Sequence, residues 1–278
     1  MTGVGFPEAL RWWNGHLWFC DMSARTLVQA TASGKVESVI TLDDEPSGLG
    51  FLPDGTPLVT AMWSQRIVEL STGRPRTYVN LADAPGERVN DLVVDASGRV
   101  YVGVISRRDA TAVAAAADGV VMVDADPART VTVVARGLAT TNGLVITPDG
   151  AELIVAETSL GRLSRFPILR SGELGPMSTF ATVAGTAPDG ICLDEGGSVW
   201  IGSVFDGRFL RVDPGGNVSA QCVTAPAWAV SPMLGGDDRR TLFMGTARTS
   251  LETMRQPNGS QGSIVVLDDA PVRGAGWP

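Results

Sequence analysis

Histidine is nearly absent, cysteine is scarce, and no apolar run approaches the length needed to cross a bilayer. The one histidine, His16, sits in the turn-like Asn14-Gly15-His16, so a serine nucleophile of the usual triad would have no base to activate it. Three cysteines, Cys20, Cys192 and Cys222, are odd in number, lack paired spacing and lie in or beside apolar runs. They read as buried free thiols rather than a disulfide framework or a zinc site. Basic charge is also short: 22 Lys and Arg stand against 30 Asp and Glu, for a net charge of −8. That balance argues against nucleic acid or an anionic membrane surface as partner and leaves a small molecule as the expected one, with a monomer or a weak homodimer as the expected assembly. Met1-Thr2-Gly3-Val4-Gly5 has neither a basic region nor an apolar core, so the cytoplasm is the expected location. Glycine-rich phosphate loops are missing as well.

What is present is a repeat. A short segment recurs six times: Pro7-Glu8-Ala9-Leu10, Pro46-Ser47-Gly48-Leu49, Val89-Asn90-Asp91-Leu92, Thr141-Asn142-Gly143-Leu144, Pro188-Asp189-Gly190-Ile191 and Ala227-Trp228-Ala229-Val230. Its second residues, Glu8, Ser47, Asn90, Asn142, Asp189 and Trp228, are spaced by 39, 43, 52, 47 and 39 positions, a period that marks a repeat architecture. A turn glycine follows eight residues after five of these anchors and seven after Glu8, and then comes a second strand such as Val199-Trp200-Ile201. Third strands open near Arg25, Arg66, Arg162 and Arg208. This is the pattern of an all-β, six-bladed β-propeller with four-stranded antiparallel blades, one closed domain over residues 1–278. An apolar fraction of 44%, with 33 glycines and 17 prolines, suits such a core and its many turns.

Closure is the least patterned part. Few residues precede the first anchor, so a separate N-terminal strand is not expected; residues 262–268 read as a strand and 271–276 as a weaker one. The longest interval holds an insert, residues 106–117, whose alanines suggest a short helix or loop, either a surface excursion or a lid.

The first strand of a propeller blade lies nearest the axis, so residues at its start form a ring. Glu8, Asn142 and Asp189 would meet there, two carboxylates and an amide, an oxygen-donor set suited to a hard divalent cation. Asn-Gly and Asp-Gly are also common turn pairs, but glutamate has no turn preference and shares the register. Arg88, two residues before Asn90, projects to the same side of an extended segment and could hold a carbonyl or steady an oxyanion; the alternative is a solvated loop arginine. Asp91 stands where the other units have Gly or Ala, which suggests a structural carboxylate. Trp63 and Trp228 serve either packing or stacking on a substrate.

These motifs, with Leu17-Trp18-Phe19-Cys20-Asp21 and Ile191-Cys192-Leu193-Asp194, resemble the family of senescence marker protein (regucalcin), gluconolactonase and luciferin-regenerating enzyme, over about residues 6–247. The resemblance implies a six-bladed propeller with one divalent metal held by Glu8, Asn142 and Asp189, Ca²⁺ first and Mg²⁺, Mn²⁺, Zn²⁺ or Fe²⁺ after it. It further implies that Arg88 and Asn90 contact substrate and that Asp189 acts as general base. Glu8-Ala9 and Asn90-Asp91-Leu92 depart from the family's commoner Glu-Gly-Pro and Asn-Asp-Gly; the ligand oxygens survive, but the changes and the insert weigh against a sugar lactone. The expected function is metal-dependent hydrolysis of a lactone. Two alternatives stay open: an isomerase, lyase or ring-forming enzyme on a larger apolar substrate bounded by the insert, Trp63 and Trp228, and a non-catalytic binding propeller.

Overall fold

The computed structural model describes residues 1–71, 73–106, 117–254, 256 and 259–276. Its strands form six four-stranded antiparallel sheets, arranged as a six-bladed β-propeller. Five blades are contiguous in sequence, each running outward from its first strand: Pro7–Trp13, Pro46–Phe51, Arg88–Val94, Thr141–Ile146 and Pro188–Leu193. The sixth begins with Trp228–Gly235. Each first strand touches that of the next blade, and the last touches the first, which closes the ring around an axis. Position in the blade sets composition. Pro188–Leu193 is buried throughout because blades cover both of its faces, whereas the outermost strand Val218–Val223 alternates between half-buried and exposed residues.

The ring closes differently from the expectation. Thr2–Val4 pairs antiparallel with Gln261–Leu267 and becomes the outermost strand of blade 6. Three residues suffice because an outer strand needs partners on one side only. The Met1 ammonium donates to the Ile264 carbonyl at 2.8 Å and extends the seam. The segment 271–276 is not a strand of this blade; Gly274 forms a lone bridge to Asp194, and the Ala275 amide donates to Leu193 O at 3.0 Å. The helix or lid expected within the insert falls on residues 107–116, outside the described residues.

Two local devices repeat in every blade. The turn glycines Gly15, Gly55, Gly98, Gly150, Gly197 and Gly236 all take φ between +71° and +88°, a region glycine enters without steric cost. In addition, pairing between first and second strands slips by a residue just after each anchor, at Glu8/Arg11, Pro46/Leu49, Val89/Leu92, Thr141/Leu144, Pro188/Ile191 and Ala229/Ser231. Such a bulge bends the strand and re-aims the neighbouring side chain.

The bulge also presses adjacent blades together. A Cβ on Gly143 would lie 2.6 Å from Asp189 O, and one on Gly48 would lie 2.6 Å from Leu92 N. Backbone cannot move aside as a flexible side chain can. Gly143→Ala is therefore expected to cost about 1–3 kcal/mol, as overpacking does, read as a lower urea midpoint; an unchanged midpoint would contradict this close approach.

Candidate functional site

At the end of the channel where the first strands begin lies a cavity of about 610 Å³. Five of the six anchors line it: Glu8, Asn90, Asn142, Asp189 and Trp228. Ser47 does not, because its short side chain is buried against Thr60 Oγ1 at 3.1 Å. Arg88 and Trp63 line the same cavity, so all seven residues singled out from the sequence come together. Arg88 is half-buried, with its guanidinium carbon 5.4 Å from the Trp63 ring centroid. Trp63 is pinned in turn: its indole N–H donates to Glu45 at 2.8 Å and its backbone amide to Asp44 at 3.1 Å.

The amide of Asn142 is oriented by a chain of donors. Thr158 spends its one hydroxyl proton on Pro188 O at 2.7 Å, so at 3.1 Å from Asn142 Nδ2 it can only accept. Asn142 Oδ1 must then face the other way, where it accepts from Asn90 Nδ2 at 3.1 Å and keeps a second lone pair. Asn90 Nδ2 also donates to Thr141 O at 3.1 Å; with both hydrogens engaged, Asn90 offers a ligand an acceptor. Thr158 lies in a single 3₁₀ turn, Thr158–Leu160, and sequence reading missed it because its bonds cross between strands 16 and 30 residues away.

Two carboxylates share this cavity. Glu8 is half-buried and Asp189 buried. Burial, and then the negative charges of Asp189 and Asp91, push the Glu8 carboxyl well above the ordinary carboxylate range. Two carboxylates that repel each other, in one cavity with an oriented amide oxygen, are a set of donors that could hold a hard cation. Among the described residues no three His, Cys, Asp or Glu side chains gather as a metal-holding group; the oxygen set in this cavity counts an amide as its third member.

Beneath the cavity a buried ion pair crosses the channel. Arg11 Nη2 of blade 1 donates to both Asp91 oxygens of blade 3, at 2.8 and 3.0 Å, and to Leu92 O at 3.1 Å. Burial is the largest influence on Asp91 and pushes its carboxyl up, opposed by Arg11 and by the amides of Leu92 and Leu144. The Leu144 amide belongs to blade 4, so Asp91 is tied to the neighbouring blade as well as to Arg11. Around the mouth, other carboxylates brace loops: Asp21 accepts from the amides of Gly5 at 2.7 Å and Phe6 at 3.1 Å, which holds the buried Phe6 against the cavity.

His16 does not line the cavity, and its Nε2 pairs with Glu37 at 2.9 Å. All three cysteines are free; Cys20 and Cys192 are buried, while Cys222 is only half-buried, on an outer strand. No helix among the described residues is long and apolar enough to cross a membrane.

Comparison with known proteins bears on this arrangement. A profile of the SMP-30/gluconolactonase/LRE-like region matches residues 6–248. The 6-deoxy-6-sulfogluconolactonase of Pseudomonas putida is 30% identical over 177 residues, 62% of this chain and 58% of that protein, so the chain spans little more than half of that relative. The pentonolactonase XacC of Haloferax volcanii is 26% identical over 204 residues, covering 72% of this chain and 67% of that one. The crystal structure of a calcium-binding protein, regucalcin, from Agrobacterium tumefaciens superimposes with a TM-score of 0.79 at 24% identity, over 100% of this chain and 94% of the other. That is a likeness of fold.

Proposed function

Because the chain belongs to the SMP-30/gluconolactonase/LRE-like family, we propose that it hydrolyses a lactone at the cavity lined by Glu8, Arg88, Asn142 and Asp189. The observation that carries this reading is the gathering of two mutually repelling carboxylates, Glu8 and Asp189, in one cavity with the oriented Asn142 Oδ1. Glu8, Asn142 and Asp189 would hold one divalent cation, and their all-oxygen character suits Ca²⁺ ahead of Zn²⁺ or Fe²⁺. When bound, the cation supplies the countercharge that the carboxylates need and Lewis acidity toward a carbonyl oxygen and water.

Asp189 accepts a proton from the attacking water. Arg88, steadied by Trp63, donates to the carbonyl oxygen as negative charge gathers there. The water oxygen bonds to the carbonyl carbon and the ring carbon–oxygen ester bond breaks. The proton held by Asp189 then passes to the departing ring alkoxide, and the product is a hydroxy acid. Two relatives named as lactonases support this class of reaction.

Removing divalent ions with a chelator is expected to slow lactone opening by about 10²-fold or more, and adding Ca²⁺ back should restore it. An undiminished rate in metal-stripped protein would refute the cation's part.

A further inference from the structure

Polar and apolar groups are unevenly spread around the cavity. Arg88, Asn90, Asn142 and Thr158 stand on blades 3 and 4, while Glu8 opens blade 1 and Asp189 blade 5. The apolar wall is made of Phe6, Met22, Met62, Phe205, Trp228 and Met254. These side chains are packed in place: Phe6, Met22 and Met62 form a buried cluster with Val230 and Ala247, against which Trp228 and Met254 rest. Trp228 meets Phe6 edge to face at 6.4 Å and 89°, and Phe205 at 5.1 Å and 85°. At the rim Phe205 remains 44% and Trp63 42% exposed. Large aromatic surface held open to solvent at a cavity mouth marks a place where a ligand completes the packing.

A sugar lactone carries a hydroxyl on most ring carbons, and this wall offers carbon and sulfur to meet them. A hydroxyl that loses water and gains no partner weakens binding by about tenfold or more. A methylene buried on the same wall strengthens it by about fourfold. Methionines at three positions of the wall are flexible enough to fit substituents of differing shape.

Resting on the lactonase reading above, we infer that the substrate is a lactone bearing an alkyl or aryl substituent, with its ester toward Arg88 and Asp189 and its substituent on the Phe6–Trp228–Phe205 wall. A ring with such a substituent suits a cavity of about 610 Å³, within the roughly 300–1,000 Å³ of ordinary ligand sites.

The test compares kcat/KM for δ-valerolactone, δ-decalactone and D-glucono-1,5-lactone. δ-Decalactone should exceed both others by about 100-fold or more, the discrimination that several buried methylenes give. In Phe205→Ser, a change at an exposed position that the fold should tolerate, the ratio of δ-decalactone to δ-valerolactone should fall about tenfold. Gluconolactone turned over as well as δ-decalactone, or a ratio unmoved by the substitution, would overturn the inference. Should no lactone be opened, the lactonase reading falls and the wall is tested separately by calorimetry. Uncleaved δ-decalactone binding about 100-fold tighter than δ-valerolactone would then support an apolar ligand, and equal binding would overturn it.

Discussion

Asp189→Asn is expected to lower kcat/KM for lactone opening by about 10³-fold or more, because in the proposed reaction the change removes a general base worth roughly 10²–10⁴ together with one charged cation ligand. The substitution preserves volume at a buried strand start, so lost activity is not lost fold. It also removes one of two repelling carboxylates, and the Glu8 carboxyl should move back toward the ordinary range. The cation-free variant should therefore melt no lower than the parent, while the rise in Tm that Ca²⁺ gives the parent disappears. Steady-state rates and melting curves with and without Ca²⁺ check both halves. Activity within tenfold of the parent would remove Asp189 from the chemistry.

The second large effect is on stability. Arg11 and Asp91 are each under 10% exposed, at 4% in both cases, and they link blades 1 and 3 across the channel. Breaking a buried pair from one side strands a charge, so Asp91→Asn is expected to cost about 3–5 kcal/mol. Adding Arg11→Met removes the stranded charge, and the double variant should be more stable than the sum of the single effects implies. Urea titrations of the four proteins in this cycle give the coupling directly. A cost under about 1 kcal/mol for Asp91→Asn would mean that the pair is not a strut between blades 1 and 3.

The period in the sequence was legible because the features that repeat are local. A left-handed turn glycine and a bulge after each anchor act within ten residues, and both leave residue types at fixed places. Register alone placed Glu8, Asn90, Asn142, Asp189 and Trp228 at one end of the channel. Ser47 keeps the same register at the start of its strand, but its side chain reaches Thr60 instead of the cavity. Closure by Thr2–Val4 was hidden because three residues are too few to show alternation. Arg11 had no signal of its own: its partner is 80 residues away, and only the carboxylate of Asp91 among glycines and alanines hinted at one. Thr158 and the Phe6, Met22 and Met62 wall were likewise invisible, since each acts through contacts between blades.

The proposed reaction needs an oxygen-lined ring that grips one divalent cation. Calorimetric titration of metal-free protein with Ca²⁺ tests it most directly, run on the parent, Glu8→Gln and Asp189→Asn. The parent is expected to bind one ion per chain, and each variant to bind about 100-fold more weakly, since each loses a charged oxygen ligand. No binding by the parent, or equal binding by all three proteins, would contradict it.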